Sequence, residues 1–362
     1  FTIDKKYKVE NFQINSDLIL KEMNLSNKVN LKKYLPKAKD FLRLTNHKVK
    51  IEIKKNYFSL KGNGKILLQE KLDDIEYEII KSKKDVKFNG LIRTGKNPFN
   101  IDFLNFKKNE NSKLDISFKG KKDLILNKIL FKDISLEEND NLIKASNLDL
   151  SKDNKIMSVD KIILDYSDKD LLKNKIIIDR NNENYNLYSS SFNAINLIND
   201  LLDTDYKSKI KKIFHNDFKV IIKVDKTHLD KEYVINNLIG YLVFSDSEIK
   251  DADLEAFFSN SKKIRLTIRS TIDEKITTLY SDIAKPFVNR YEFIKGFDQG
   301  NLDFYSIKKN NLSNSKLIID NFKVQEVPAL AKLLTLASLQ GIADLLTGEG
   351  IRFSDFEMNF SN

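Results

Sequence analysis

Histidine and cysteine are the first places to look for catalytic or metal-binding chemistry in this sequence. The chain has three histidines, His47, His215 and His228, and no cysteine. The histidines are far apart, and none stands at the H-x-x-x-H spacing that brings two imidazoles to one zinc ion. A chain without cysteine has no thiolate nucleophile, disulfide or cysteine-zinc site. The sequence therefore predicts no metal and no cofactor.

One segment approaches the spacing of a phosphate-binding loop. Residues 90–97 read Gly-Leu-Ile-Arg-Thr-Gly-Lys-Asn, close to the pattern G-x-x-x-x-G-K-[ST]. Asn97 takes the place of the hydroxyl residue that would bind Mg²⁺. Pro98 leads into an alternating, strand-like segment instead of the helix whose N-terminus would face phosphate. We therefore interpret residues 90–97 as a turn with no phosphate-binding role.

Carboxylates provide the remaining candidates for chemistry. One segment carries a run of closely spaced acids: Asp246, Glu248, Asp251, Asp253 and Glu255. This run lacks the central glycine and the distant glutamate of a calcium loop. Adjacent acids such as Asp73 and Asp74 would point to opposite faces of a strand, and no serine stands in a G-x-S-x-G motif. A glycan- or lipid-modifying enzyme would need converging carboxylates or a metal, so the sequence predicts no enzymatic activity.

The positive charge of the chain is carried almost entirely by lysine. Of 62 basic residues against 52 acidic ones only seven are arginine, and the formal net charge is +10. Arginine is the residue favoured for reading base edges and for bidentate phosphate contacts. The lysines are also interleaved with acids along the whole chain, a pattern typical of solvated faces. We therefore predict no nucleic-acid partner.

Strict alternation of apolar and polar residues dominates the sequence and would position any functional side chains. It is found at residues 49–54, 75–79, 114–119, 218–224, 264–269 and 302–304. Alternation with period two predicts antiparallel strands with one buried and one solvated face. Gly62-Asn63-Gly64 carries a hairpin signal, and Asn89-Gly90 indicates a bend or bulge. A last strand is expected from Ile351 to Phe360.

Three segments interrupt the alternation and are predicted to be short helices. They are residues 31–44, residues 193–203 and residues 328–347. Pro36 lies near the start of the first, and Pro328 suits the first turn of the third. The strand-rich segments between them are residues 45–192 and 216–325. We expect a mainly β fold with about three inserted helices.

The amount of predicted strand leaves two architectures open. About twenty strands in one sheet would extend on the order of 100 Å, since each adds about 4.8 Å. The apolar face of such a sheet is too large for three short helices to cover. The strands must either close into β-sandwich or barrel domains, or form a groove filled by something other than protein. Alternation alone does not separate these two architectures.

The C-terminal region carries a resemblance to a known family. Residues 318–324, 327–334, 337–342 and 345–353 together follow the pattern P-x-L-A-x-L-L, A-S-L-x-G-I, L-L-x-G-x-G-I-x-F after a strand. This pattern resembles the C-terminal region of the AsmA-like bacterial envelope proteins, with most similarity to the YhdP-type branch. Residues 31–36 (Leu-Lys-Lys-Tyr-Leu-Pro) resemble a recurrent element of the same family.

The resemblance implies both a fold and a function. Members of this family form an elongated antiparallel sheet curled into a taco-like groove with an apolar lining. They are anchored in the inner membrane, extend through the periplasm and carry phospholipids towards the outer membrane without known catalysis. The chain begins at Phe1 without a signal-like stretch, so we expect residues 1–362 to be a segment of one such protein, anchored through a part outside it. The alternative is a non-catalytic envelope-assembly scaffold with a closed β-sandwich or barrel interior.

The alternating apolar side chains are the candidates for contacting lipid in such a groove. They are Ile51, Ile53, Ile75, Tyr77, Ile79, Leu114, Ile116, Phe118, Val220, Ile222, Ile264, Leu266, Ile268, Leu302 and Phe304. The third helix could cap the groove with a set of aliphatic residues. They are Leu330, Leu333, Leu334, Leu339, Ile342, Leu345 and Leu346. Each of these residues could instead pack only against protein, as alternating strand residues ordinarily do.

Overall fold

Strands form at every segment in which the sequence alternates. The computed structural model describes residues 2–3, 9–10, 12–26, 31–195, 216–245, 248–288, 296–310, 312–325 and 350–361. All six alternating segments lie inside strands, and the last strand runs from Ile351 to Ser361. The prediction of a mainly β fold is confirmed. The described chain divides between Arg180 and Asn181 into two compact parts, unit 1 and unit 2.

The part of unit 1 that the structure describes forms fifteen strands, of which β15 ends at the boundary. They are β1 Thr2–Ile3, β2 Val9–Glu10, β3 Gln13–Ser26, β4 Phe41–Lys54, β5 Tyr57–Leu67, β6 Leu72–Lys81, β7 Asp85–Thr94, β8 Asn100–Ile101, β9 Phe106–Lys107, β10 Leu114–Asp123, β11 Ile129–Glu138, β12 Asn141–Leu150, β13 Ile156–Ser158, β14 Lys161–Ser167 and β15 Lys173–Asn181. Two single-turn 3₁₀ helices, Leu31–Lys33 and Asp102–Leu104, lie between them.

The main sheet of unit 1 is antiparallel throughout. Its strands follow the order β3-β4-β5-β6-β7-β10-β11-β12-β14-β15, and the short β13 pairs with the end of β12. Most connections are short hairpins. The longer ones are residues 27–40 between β3 and β4, residues 151–160 between β12 and β14, which include β13, and the β7–β10 connection, which contains the small β8–β9 hairpin. Such a meander keeps the apolar positions of successive strands on one face of the sheet.

The described residues of unit 2 form nine strands and one short helix. They are β16 Asn184–Asn193, β17 Phe218–His228, β18 Val234–Ser245, β19 Glu248–Phe258, β20 Lys263–Ser270, β21 Lys275–Ser281, α1 Lys285–Val288, β22 Phe297–Lys309, β23 Leu312–Val324 and β24 Ile351–Ser361. The strands lie side by side in chain order. β16 and β17 are parallel, whereas all other neighbours in this sheet are antiparallel.

The helix predicted over residues 31–44 is wrong. Helical bonding ends within one turn, where the N–H of Leu35 donates to the carbonyl of Leu31 over 2.8 Å. Pro36 has no N–H to continue the helix. The N–H of Lys37 then donates to the Gln69 side chain at 3.0 Å, and that of Lys39 donates to the Leu68 carbonyl at 3.1 Å. Leu68 and Gln69 lie in the β5–β6 turn. Hydrogen bonds to this turn take the place of helical bonds, and β4 begins at Phe41.

The other two predicted helices lie almost wholly outside the described residues. The segment 193–203 is described only to residue 195, and the segment 328–347 falls between described residues 325 and 350. The capping residues predicted there therefore remain predictions. The same holds for most of the C-terminal pattern that carries the family resemblance.

Candidate functional site

The apolar positions of unit 1 form rows that cross the sheet from strand to strand. Directly paired residues make up one such row: Leu18, Val49, Gly62, Tyr77, Gly90, Phe118, Ile134, Ala145, Ile162 and Ile178. A second row runs beside it: Ile75, Ile92, Ile116, Leu136, Ile143, Leu164 and Ile176. The predicted residues of unit 1 thus share one face. That face is an almost unbroken hydrocarbon surface.

The opposite face of the same sheet is charged. Arg93 bonds Glu76 on the neighbouring strand at 2.6 Å and lies 3.8 Å from Asp115 on the other side. Lys144 and Asp133 form a similar cross-strand pair at 3.3 Å. These pairs are exposed, and pairs of this kind contribute at most about 1 kcal/mol each. Their main consequence is to mark which face of the sheet is the solvated one.

Glycines on the apolar face make room for aromatic rings. Tyr77 pairs with Gly62 on one side and Gly90 on the other, and Gly90 also pairs with Phe118. A Cβ on Gly62 would lie 2.5 Å from the Tyr77 ring, and one on Gly90 would overlap the ring of Phe118. The two rings therefore lie across backbone that has no side chain. The Tyr77 hydroxyl also lies 3.3 Å from Nδ1 of buried His47.

These contacts correct two predictions from the sequence. Gly62-Asn63-Gly64 does not form a hairpin turn but lies within β5. Asn89-Gly90 forms neither a bend nor a bulge, because β7 keeps continuous register with both neighbours there. The glycines are instead positions where a neighbouring ring occupies the space of a side chain. Local turn statistics carry no information about such a packing partner.

One end of the apolar face in unit 1 is covered by the segment 97–108, which we name the end segment. Phe99, Ile101 and Phe106 from this segment are buried. The Phe106 ring meets the Tyr166 ring edge to face, with centroids 5.8 Å apart, and the Tyr166 hydroxyl donates to the Leu104 carbonyl at 2.7 Å. Leu114 lies under this cover with no exposed surface.

Buried polar side chains hold the end segment in place. The Asn97 side chain donates to the Lys71 carbonyl and to the Asp73 carboxylate, both at 2.7 Å. Lys108 is only 2% exposed, and its ammonium donates to the carbonyls of Gly95 and Asn109. Burial raises the pKa of Asp73 and lowers the pKa of Lys108. Because nearly all these bonds end on backbone groups, the cluster acts as a structural clasp.

Away from the end segment, the predicted lipid-contacting side chains of unit 1 remain partly exposed, whereas Val49, Ile143, Leu164 and Ile176 of the two rows are buried. The partly exposed residues are Ile51, Ile53, Ile75, Tyr77, Ile79, Ile116 and Phe118. On β3 the exposure is larger, at 51% for Ile14 and 48% for Leu18. Large apolar side chains in a closed protein core are ordinarily fully buried. Protein atoms therefore cover one end of this face and leave the rest incompletely covered.

Unit 2 has an equivalent apolar face. Its central row crosses all nine strands: Leu187, Ile222, Gly240, Leu254, Leu266, Leu279, Phe304, Leu317 and Met358. Here too the charged residues point the other way. Arg265 forms a two-pronged pair with Asp253 at 3.0 and 2.9 Å, and Arg269 bonds Asp251 at 3.0 Å. These aspartates belong to the acidic run that was considered as a calcium site. Their carboxylates are instead bonded to arginine side chains.

Protein covers unit 2 more completely than unit 1. Phe287 and Val288 of α1 pack over one end of the sheet, beside a stack of Phe297, Phe322 and Phe353. The successive ring centroids in this stack are 5.3 and 5.2 Å apart. Four predicted residues of unit 2 are buried by protein: Ile222, Ile264, Ile268 and Leu302. The other three, Val220, Leu266 and Phe304, are partly exposed.

The motifs considered for catalysis occupy structural positions. Gly90 to Thr94 lie in β7, and only the residues that follow form a turn, whose Asn97 side chain bonds within the clasp. In the described part of the chain, no group of three or more His, Asp or Glu side chains could hold a metal ion. The described residues form an apolar surface and a polar clasp with a structural role.

No family model, no curated protein and no solved structure matches the chain. Among the described residues, no helix has both the length and the apolar character needed to span a bilayer.

Proposed function

We propose that this chain is a non-catalytic, lipid-binding conduit in which a curled sheet forms a groove for phospholipid acyl chains. The observation that carries the proposal is the row structure of unit 1. Apolar side chains follow one another across ten strands, and most remain partly exposed in the folded protein. A surface of this kind suits a ligand that is long, apolar and chemically unreactive.

The energetics favour an acyl chain as the ligand. Each methylene group removed from water contributes about 0.8 kcal/mol, so a lipid tail gains by lying along a continuous hydrocarbon face. The same face gains by being covered, because large apolar patches are rarely left exposed in soluble proteins. A row without polar interruptions also lets a tail move with little change in free energy. The conduit therefore needs no catalytic residue.

The resemblance of the C-terminal region to AsmA-like proteins supports the cellular part of the proposal. On this basis the chain belongs to a periplasmic protein with an inner-membrane anchor outside this segment. It would shield phospholipid tails between the inner and outer membranes. Its partners would be phospholipids and the inner membrane.

Retention of lipid by the purified chain tests the proposal. We expect native mass spectrometry of wild-type protein to detect bound lipid, and Ile116→Asp to lose it because a carboxylate would interrupt the apolar row. Ser117→Asp is the matched control, since Ser117 lies next to Ile116 but points to the charged face. Lipid-free wild-type protein, or equal retention by both variants, would contradict the proposal.

A scaffold with a closed interior is the second candidate, and the packing of unit 2 favours it. Ile319 has no exposed surface, and Leu302 and Phe322 are 3% and 4% exposed within a continuous cluster. If the apolar faces are filled by protein alone, Ile116→Asp will unfold the chain as a buried unpaired charge does. An Ile116→Asp protein that keeps its fold therefore favours the groove over the scaffold.

A further inference from the structure

Three consecutive aliphatic side chains project from the turn between β10 and β11. Leu124, Ile125 and Leu126 are 40%, 74% and 62% exposed. We name residues 124–126 the hairpin tip. It lies at the end of the sheet opposite to the end segment, because β10 begins at Leu114 under that segment and ends at Asp123. Exposing three adjacent aliphatic side chains to water is unfavourable in free energy, and such exposed patches mark interaction sites.

Hydrogen bonds hold the hairpin tip in its exposed conformation. The Asp123 carboxylate accepts the N–H groups of Ile125 and Leu126, each at 2.8 Å. These two bonds lower the pKa of Asp123. The N–H of Leu124 donates to the Lys84 carbonyl in the adjacent β6–β7 turn at 2.9 Å. The turn is thus fixed at both ends, and its side chains point outward in the folded state.

Lysines surround the hairpin tip on one strand, β10, and on two turns, the β6–β7 turn and the β10–β11 turn. They are Lys83, Lys84, Lys121, Lys122 and Lys128. In the part of the chain that the structure describes, none of these five lies within 4.0 Å of a carboxylate, whereas Lys65 pairs with Asp74 at 2.6 Å on the charged face. The nearby Asp85 and Asp123 carboxylates are engaged by hydroxyl and backbone donors. The carboxylates close to the tip are Asp85, Asp123 and Asp149, so five lysines outnumber three acids and the net charge around the aliphatic tip is positive.

The two most exposed aliphatic residues of the described chain, Leu171 and Ile272, lack this setting. Leu171 is 85% exposed in the β14–β15 turn, but Asp168 and Asp170 flank it. Ile272 is fully exposed in the β20–β21 turn, next to Asp273 and Glu274. The combination of aliphatic residues with unpaired lysines distinguishes the hairpin tip from both.

We propose that the hairpin tip and its surrounding lysines dock onto a bilayer that contains anionic phospholipids. Aliphatic side chains enter the boundary between headgroups and acyl chains, while lysines at the same depth attract anionic headgroups. Charge complementarity favours this partner over an apolar protein surface. The proposal goes beyond the conduit, because docking requires no lipid along the sheet faces.

Vesicle co-sedimentation tests the docking. We expect the full 362-residue chain to bind vesicles of phosphatidylcholine mixed with phosphatidylglycerol, to bind pure phosphatidylcholine far less, and to be released by high salt. Replacing Leu124, Ile125 and Leu126 together by serine should weaken binding by about tenfold or more. Leu171→Ser is the matched control and should bind like the wild type. Equal binding by the triple variant, or no binding by the wild type, would overturn the proposal.

A fluorescent label provides a second readout that does not depend on a triple substitution. The chain has no cysteine, so Ile125→Cys and Leu171→Cys each give one site for an environment-sensitive dye. We expect a blue shift on adding anionic vesicles at position 125 and none at position 171. A shift at position 125 that depends on protein concentration but not on vesicles would indicate self-association and would also overturn the proposal. Neither result depends on lipid retention along the sheet faces. The docking proposal can therefore be wrong while the conduit proposal holds, and the reverse.

Discussion

Tyr77 and Phe118 show how single residues shape the apolar face. Each ring lies across a glycine on a neighbouring strand, so the aromatic groups lie close to the sheet backbone. In a groove, a ring held flat in this way would leave more space above it for a ligand. The glycines are therefore as important to the surface as the apolar residues that the alternation revealed.

We predict that Gly90→Ala destabilises the folded protein. The new methyl group would overlap the Phe118 ring, and such overpacking typically costs about 1–3 kcal/mol. Gly95→Ala is the matched control, because no atom lies within 4 Å of a Cβ built there. Urea unfolding should show a clear loss of stability for Gly90→Ala only. Equal stability of the two variants would show that the ring is free to move away.

The buried Asp73 carboxyl should make stability depend on pH. Burial raises the pKa of Asp73 in the folded protein, despite donors from Asn97 and Gly95 and the nearby charge of Lys108. The folded state then binds this proton more tightly than the unfolded chain does. The contribution of Asp73 to stability is therefore largest at acid pH and falls as pH rises through the folded-state pKa.

Asp73→Asn removes this titration. We expect the unfolding free energy of the wild type relative to Asp73→Asn to be larger in buffer of about pH 4, near the ordinary carboxylate range, than at neutral pH. Urea titrations of both proteins at the two pH values measure the difference. A difference that is constant, or that grows towards neutral pH, would contradict the assignment.

At the scale of elements, the end segment is the part that sequence reasoning missed. Alternation predicted the strands and the shared face of Ile75 and Ile116, because period two fixes side-chain direction once the strand is known. The alternating stretch after Pro98 forms a strand only at Asn100–Ile101, before a 3₁₀ turn. The partners of the end segment are distant in sequence, as in the bond from Gln69 to the Pro98 carbonyl. No local pattern predicts such contacts.

The same limit applies to the helix wrongly predicted at residues 31–44 and to the parallel β16–β17 pair. Backbone groups of the first segment bond to Leu68 and Gln69, and strand direction in the second depends on the intervening chain. Alternation reports which face of a strand is apolar. It does not report which strand lies beside it, or in which direction.

We predict that Phe106→Ala in the end segment is strongly destabilising. Phe106 is 2% exposed and contacts the rings of Phe99 and Tyr166, so its removal should cost about 3–5 kcal/mol through lost burial and a cavity. Phe103 lies in the same segment but is 65% exposed. Phe103→Ala should therefore change the thermal midpoint little. Comparable losses for both variants would contradict the proposed packing of the end segment.

At the scale of the molecule, the capacity to bind lipid depends on what covers the apolar faces. Sequence reasoning left closed domains and an open groove as alternatives, and burial now differs between the units. In unit 1 most candidate residues are partly exposed, whereas in unit 2 four of them lie beneath protein. We therefore expect lipid contact to be strongest along unit 1.

Site-specific photocrosslinking tests most directly whether phospholipid lies along the apolar faces of the sheets. A photoreactive amino acid would be placed at positions 116 and 266 on the apolar faces, and at positions 115 and 265, whose side chains point to the charged faces. We predict that lipid is recovered from positions 116 and 266, most strongly from 116, and far less from the two controls. Labelling at 116 and 266 that is no greater than at 115 and 265 would contradict this prediction.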